Sequence, residues 1–458
     1  MNITLRITDV LYDELITMAY GPVETASVLL AKLVPVRTDH AILLGTTLVP
    51  VPEEAYEIRT DKALQIRSDG YVHSLKTARD QGAVAIWVHT HPGNGSAPYP
   101  SRHDRLVNAQ LAPLFATRTD SDEFGYLIIS HDNGTLTFTG ALTGLIEGPI
   151  NALSAIGARW RFRRAQDAVD LTDYDLFDRN IRAFGGHIQR TIATLTIAIV
   201  GNGGTGSAVG EQLARLGVRS FILIDPDVLS SSNTTRVYGS TPTDIDRPKV
   251  DVLGDHLERI ADGVTTVRIC DTVTSQATAK ALRAADVVFG CTDDNAGRLR
   301  LSRFPYYYLI PVVDLGVQLN ADETRSITGV FGRVTTLHPG VACLVCRGRI
   351  DLRLADAEVR PPDEQHRLEK EGYAPALPGV EPAVVAFTTL VASTAVTEFL
   401  ERLVGYGDTP TPSELILYIH DRAIRGNIEE IQPGHYCDHT VSRIGNDSDM
   451  FLGLNWAS

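Results

Sequence analysis

The run TLTIAIVGNGGTGSAVGEQLARLGVRSFILIDPD, from Thr194 to Asp227, constrains the fold more than any other stretch of the chain. It reads as apolar strand, glycine loop, helix and second apolar strand, which is the pattern of a βαβ unit in a parallel sheet. The segments ADVVFGCTDD and PVVDLGV supply further strands for that sheet. Upstream, HAILLGTTLVPV, GAVAIWVHTH, FGYLIIS and GTLTFTG alternate with helical stretches such as RSDGYVHSLKTARDQG, an α+β order. Between the two patterns, in residues 165–178, charge dominates and periodicity fades. The chain is therefore expected to hold an α+β domain at 1–168, a linker at 169–177 and an α/β domain at 178–458, which suits a length of 458 residues.

The net charge of −14 gives no overall electrostatic case for a nucleic-acid partner. RWRFRR, with Arg159, Arg161, Arg163 and Arg164 around two aromatics, reads as an amphipathic edge strand in preference to a stacking surface for single strands. No apolar run approaches the roughly 20 residues needed to span a bilayer, and MNITLRITDVLYDELI has acidic residues where a signal peptide needs an apolar core. Five cysteines, Cys270, Cys291, Cys343, Cys346 and Cys437, are few for a secreted disulfide framework in a chain this long. A soluble, cytoplasmic protein is expected.

The first domain carries HTHPGNGSAPYPSRHD after an apolar strand. Side chains alternate along a strand, so His89 and His91 share a face and can reach one metal ion, with Asp104 following. Two histidines, a carboxylate and an open position describe a catalytic zinc site, and zinc lowers the pKa of its water so that a general base can take the proton. These residues resemble the JAMM (MPN-plus) metalloprotease family, whose pattern is a distant Glu, then His-x-His-Pro, then Ser-x-x-Asp. The resemblance implies a cytidine-deaminase-like α+β fold, His89, His91 and Asp104 as zinc ligands, Glu24 as the base and Ser101 as an oxyanion stabiliser. Nine residues separate His91 from Ser101, two more than in the family pattern, and Gly93, Gly95 and Pro98 lie in the longer loop. His103 lies off the motif and is expected to face solvent.

In the second domain Gly201, Gly203, Gly204 and Gly206 place backbone N–H groups and a helix N-terminus where phosphates can bind. Asp225 ends the next strand, near the spacing of a ribose-binding carboxylate. That much would suit an NAD-dependent dehydrogenase equally well. The following stretch adds Asp227, Asn233, Arg236 and Lys249, and a reaction that expels pyrophosphate needs such cations at the leaving group. Asp293 in CTDDNAGR, at a strand end, can hold magnesium.

This run resembles the ThiF and ubiquitin-activating superfamily over most of residues 178–458. The resemblance implies a Rossmann-like, mostly parallel sheet that uses ATP and magnesium to adenylate the C-terminal glycine of a β-grasp protein. Asp225 would then bind ribose, Asn233, Arg236 and Lys249 the phosphates, and Asp293 the metal. Arg179 in FDRNI would reach the ATP of a partner subunit in a homodimer, and Val237 stands where the family carries glutamine. Cys343 and Cys346 form half a structural zinc site, which Cys437 can extend with His439, preferred here, or His435; a degenerate site without metal is the alternative. Cys270, in the strand-like TTVRIC run, is expected to be buried, and the charged, proline-rich stretch from Asp351 to Pro382 to be a long crossover loop without a cysteine. Together the two resemblances imply an enzyme pair that trims or releases a ubiquitin-like protein's tail and activates it. The activated tail would pass to a conjugating enzyme or a sulfur donor. A non-catalytic platform for such a partner is the competing reading.

Overall fold

The computed structural model describes residues 1–95, 98–165, 175–322, 326–370, 383–407, 409–438, 442–446 and 450–456. It divides into two compact units, Met1–Asp170 with Val441–Gly445, and Leu171–Thr440 with Asn446–Ser458.

The first unit runs β1 (Asn2–Thr8), α1 (Asp9–Ala19), β2 (Ala26–Arg37), β3 (His40–Pro50), β4 (Tyr56–Arg59), β5 (Leu64–Ile66), α2 (Asp69–Gln81) and β6 (Val84–Asn94). It continues through α3 (Arg102–Thr119), β7 (Phe124–Asp132), β8 (Thr135–Thr143), β9 (Gly148–Ile156) and β10 (Trp160–Arg164). Strands pair in the order β1-β3-β2-β6-β7-β8-β9-β10, and β1 also pairs with β9, so seven strands close into a barrel and β10 hangs on its edge. In β1, Ile3, Leu5 and Ile7 share one face and are fully buried, and its two edges pair in parallel with β3 and β9, which closes the barrel. One core gathers α1, through Leu11, Tyr12 and Leu15, against the strands. A second packs Tyr71 and Leu75 of α2 and Leu111 and Phe115 of α3 against Val28, Leu30 and Trp87. The helices α2 and α3 thus cover the face of β6 opposite α1.

The second unit opens with α4 (Asp178–Phe184), α5 (Gly186–Thr194), β11 (Thr196–Val200), α6 (Gly204–Leu216), β12 (Ser220–Ile224), α7 (Lys249–Ile260) and β13 (Thr265–Ile269). Then come α8 (Gln276–Ala281), β14 (Val287–Gly290), α9 (Asn295–Leu301), α10 (Phe304–Tyr308), β15 (Val312–Ala321) and β16 (Ile327–Leu337). It ends with α11 (Leu352–Ala357), α12 (Pro362–Lys370), α13 (Val385–Val404), β17 (Glu414–Tyr418) and β18 (Ala423–Asn427). The sheet order is β13-β12-β11-β14-β15-β16-β17-β18. The first five are parallel and the last three antiparallel. The chain moves outward from β11 in one direction to β12 and later in the other to β14, so the carboxyl ends of β11 and β14 flank a topological switch point, where open α/β sheets bind ligands.

Two expectations need correction. Cys270 is exposed, because β13 is the outermost strand and pairs only with β12. Residues 352–357 and 362–370 of the expected crossover loop are helical, while 371–382 lie outside the described residues. Among the described residues, no helix is long and apolar enough to cross a membrane.

Candidate functional site

In the first unit, β6 carries His89, 3% exposed, and His91, and its intervening Thr90 fixes the strand's register. The Thr90 N–H donates to the Thr25 carbonyl at 2.9 Å, and the Thr25 N–H donates to Thr90 Oγ1 at 2.9 Å. Those bonds hold Glu24, one residue earlier, beside the two histidines. Asp104 comes from the third position of α3. Ser101 caps that helix by accepting from the Asp104 N–H at 3.1 Å, while Asp104 Oδ2 accepts from the Ser101 N–H at 2.6 Å. This reciprocal capping box fixes where the helix starts.

The result is a three-residue cluster. His89 Nε2 lies 3.2 Å from Asp104 Oδ1 and His91 Nε2 3.4 Å from Asp104 Oδ2. Burial alone would raise the Asp104 carboxyl, but His89, His91 and Ser101 bond to it and hold it well below the usual range. The hydrogen bond with Asp104 raises His91. Glu24 is raised by burial, against the pull of His89 and His91, which suits a carboxylate that must accept a proton. His89 Nδ1 is buried without a hydrogen-bond partner among the described residues, its Nε2 meets Asp104, and the three donor atoms lie within 4.8 Å of one another. Two imidazole nitrogens and a carboxylate are a donor set that fits zinc with a position left open. Ser101 Oγ is engaged as a helix cap, and His103 is exposed.

In the second unit the glycine loop joins β11 to α6, whose N-cap is Gly203. Gly201 has φ +89°, and a Cβ there would meet the Cys291 carbonyl at 2.7 Å; one on Gly206 would lie 1.9 Å from the Gly201 carbonyl oxygen. A Cβ on Gly203 would meet nothing within 4 Å, so open space lies over the start of the helix, where backbone N–H groups favour anions. Asp225, 4% exposed, accepts from the Asn202 N–H at 2.6 Å and the Asp227 N–H at 2.9 Å. Burial nevertheless raises its carboxyl, against the pull of Lys249. Lys249 starts α7 and places Nζ 2.6 Å from Asp227 Oδ2 and 3.8 Å from Asp225 Oδ1. Arg236 reaches over α6, since a Cβ on Gly204 would sit 3.2 Å from its Cγ and Cδ. Asn233 is held in a capping turn, accepting from the Ser230 N–H at 3.3 Å, and its carbonyl accepts from the Arg236 N–H. Val237 is 4% exposed and lies in the core behind this turn.

Across the crevice, the Cys291 N–H donates to the Val200 carbonyl at 2.7 Å, so the end of β14 abuts the glycine loop, and exposed Asp293 follows two residues later. Glu358, just after α11, accepts from the Ala296 N–H at 2.7 Å and from Asn295 Nδ2 at 3.2 Å. It ties the start of the crossover segment to α9, a link with no signature in the sequence because a surface Glu in a charged run looks like any other. Arg179 is exposed on α4, outside the crevice contacts.

Behind the sheet, Cys343 Sγ lies 3.2 Å from His435 Nδ1, Cys346 Sγ 3.5 Å from Cys437 Sγ, and Cys437 Sγ 3.5 Å from His435 Nδ1. Hydrogen bonding by Cys437 lowers the Cys343 thiol and raises the Cys437 thiol, so one thiolate is already favoured. Three sulfurs and an imidazole nitrogen within 4.8 Å fit a structural tetrahedral zinc. The described fourth group is His435; His439 lies outside the described residues.

The profile of the ThiF family matches residues 177–436. The sulfur carrier protein ThiS adenylyltransferase of Escherichia coli (strain K12) is 29% identical over 151 residues, covering 33% of this chain and 56% of that protein. The molybdopterin-synthase adenylyltransferase of the same strain is 26% identical over 257 residues, 55% of this chain and 90% of that protein. The crystal structure of E. coli MccB with AMPCPP and MccA is similar at a TM-score of 0.44 and 15% identity, over 57% of this chain and 74% of that one. The chain thus spans only about half of the first of these relatives and nearly all of the second.

Proposed function

This chain belongs to the ThiF family, and from that premise we propose that its second unit adenylates the C-terminal carboxylate of a β-grasp protein of the sulfur-carrier or ubiquitin-like kind. The observation that carries this reading is convergence at the switch point. Asp225, Lys249 and Arg236 lie against the glycine loop from separate stretches, and the end of β14, two residues before Asp293, abuts the same loop. A dehydrogenase has no use for the lysine and arginine.

The attacking carboxylate oxygen forms a bond to the α-phosphorus of ATP while the bond from that phosphorus to the bridging oxygen of pyrophosphate breaks. Lys249 would leave its carboxylate partners for the phosphates, and Arg236 would approach them from above the helix. Asn233 keeps Arg236 in place, and Asp225 receives the ribose. Magnesium, held by Asp293, would neutralise charge on the departing pyrophosphate. ATP–pyrophosphate exchange dependent on a β-grasp protein tests the reading. Lys249→Ala or Asp293→Ala should lower exchange roughly a hundredfold or more, as loss of one transition-state charge contact does. Wild-type protein that exchanges no pyrophosphate with any sulfur-carrier or ubiquitin-like partner would sink it.

For the first unit we infer a JAMM-type zinc hydrolase that cleaves a tail extension or an isopeptide bond of the same partner, with His89, His91 and Asp104 on the metal and Glu24 as the base. The gathering of the His89, His91 and Asp104 donor atoms within 4.8 Å of one another and the raised Glu24 carboxyl support it. Conjugation by an external conjugating enzyme and thiocarboxylate formation with a sulfur donor are the two downstream uses. Pairing of two copies, with Arg179 reaching the partner's nucleotide, completes the proposal.

A further inference from the structure

Arg298 stands one turn into α9, beside the crevice, and its charge is poorly answered. Its Nη1 lies 3.4 Å from the backbone carbonyl of Asp293, the residue proposed for magnesium. The only acid within ion-pair distance of it, among the described residues, is Asp314, at 3.6 Å through Nε. Asp314 is fully buried on β15, opposite Gly290 at the end of β14. It already has a closer partner, since Arg333 Nη2 sits 2.6 Å from its other oxygen. Arg333 in turn reaches Glu414 only at 4.0 Å, and Glu414 is held by Arg349 at 2.9 Å. Around Asp314 two guanidinium groups therefore share one carboxylate, and the second is the more open, at 17% side-chain exposure against 13%. Gly316 makes room for both: a Cβ there would lie 3.3 Å from Arg333 Nη2 and 3.8 Å from Arg298 Nη2.

We propose that Arg298, braced by buried Asp314, receives the substrate's C-terminal carboxylate and holds it against the nucleotide. The inference rests on the adenylating reading of the second unit. An anion that must attack ATP approaches a triphosphate of the same sign, and a largely desolvated guanidinium beside the Asp293 backbone offsets that repulsion. Guanidinium and carboxylate also match in shape, so the contact orients the attacking oxygen as well as attracting it. Asp314 braces the side chain through Nε at 3.6 Å, and Arg333, closer at 2.6 Å, keeps Asp314 from neutralising it completely.

The test is a titration of labelled short peptides ending in glycine, one with a free carboxylate and one with a terminal amide, in the presence of a non-hydrolysable ATP analogue. Wild type should prefer the acid by roughly tenfold or more, the usual worth of a hydrogen bond to a charged group. Arg298→Gln should bind acid and amide alike with unchanged nucleotide affinity, and Arg298→Lys should recover part of the preference. The inference is overturned if wild type binds both peptides equally. It is overturned too if Arg298→Gln keeps the preference, or if that variant loses nucleotide and peptide affinity in step. Pyrophosphate exchange by the same wild-type preparation reports separately on the adenylating reading.

Discussion

At the scale of single residues, the chemistry of this chain lies where charge and burial conflict. Glu24 is the sharpest case for the proposed hydrolase: removing only the proton-accepting ability proposed for it should leave the His89, His91 and Asp104 cluster intact, because those residues are positioned by β6 and α3. Glu24→Gln is expected to retain one zinc per first unit by elemental analysis while hydrolysis falls at least a hundredfold. Full hydrolysis by this variant would move the base elsewhere. The cysteines give a second test. Cys343, Cys346 and Cys437 are engaged with one another, and burial pushes the Cys291 thiol up, so neither group offers a ready nucleophile. Exposed Cys270 lies 3.8 Å from the carbonyl of Pro226, the residue after Asp225, and lies outside the crossover segment. The acyl-adenylate is therefore expected to pass to an external nucleophile. A non-reducing gel of protein, ATP, magnesium and cognate partner should show no dithiothreitol-sensitive adduct, and one abolished by Cys270→Ala would refute this. What the sequence made readable at this scale were residues in ordered motifs, such as His89, His91, Asp225 and Lys249. It hid Asp314, Arg298 and Glu358, whose meaning depends on which distant side chain shares their burial. His439 was preferred to His435 on the sequence, yet the nitrogen that the structure brings to the sulfurs is that of His435, because both flank Cys437 and only three-dimensional placement separates them; His439 lies outside the described residues.

At the scale of elements, the legible parts were those whose period was unbroken. The βαβ run from Thr196 to Ile224 was readable because Ile197, Ala198 and Ile199 are buried on both faces of a central strand and α6 buries one side. The barrel closure was not, since pairing of β1 with β9 joins residues about 150 apart and leaves no local signal. Cys270 was misplaced for a related reason: an apolar-looking strand does not announce whether it will be central or at an edge. The glycine loop shows how tightly an element can be specified. Gly206→Ala would drive a methyl group to within 1.9 Å of the Gly201 carbonyl oxygen, a backbone atom that cannot turn aside. The loop must then open, so this variant should lose ATP binding by calorimetry. Gly203→Ala, whose Cβ meets nothing, should leave the fold's melting temperature unchanged and weaken nucleotide binding alone. Equal loss of fold in both would show that the loop has no spare room for a ligand.

At the scale of the whole molecule, the second unit's stability should depend on acid in two stages, because its core encloses ionisable groups of opposite demand. His338, 5% exposed, has its pKa pushed down to about 4 by burial first and by the nearby Arg402 charge. Between that value and the ordinary histidine value of 6.5, the unfolded chain binds a proton that the folded chain refuses. Stability therefore rises with pH through this window: the contribution is fully present above 6.5 and is lost as pH falls toward 4. The shift corresponds to about 3 kcal/mol. Glu414 acts lower. Burial would raise it, but Arg349, Asn427 and Thr335 hold it down at about 2, so its contribution is present above the unfolded carboxylate value and disappears only as pH falls toward 2. Urea midpoints at pH 7.5 and 5.0 should differ clearly in wild type and much less in His338→Gln, which cannot titrate. Measuring zinc in both samples separates this effect from protons competing for the cysteine cluster, since metal loss would lower the midpoint of wild type and variant alike. If His338→Gln shows the same drop as wild type with zinc retained, the buried histidine is not the source of the acid sensitivity.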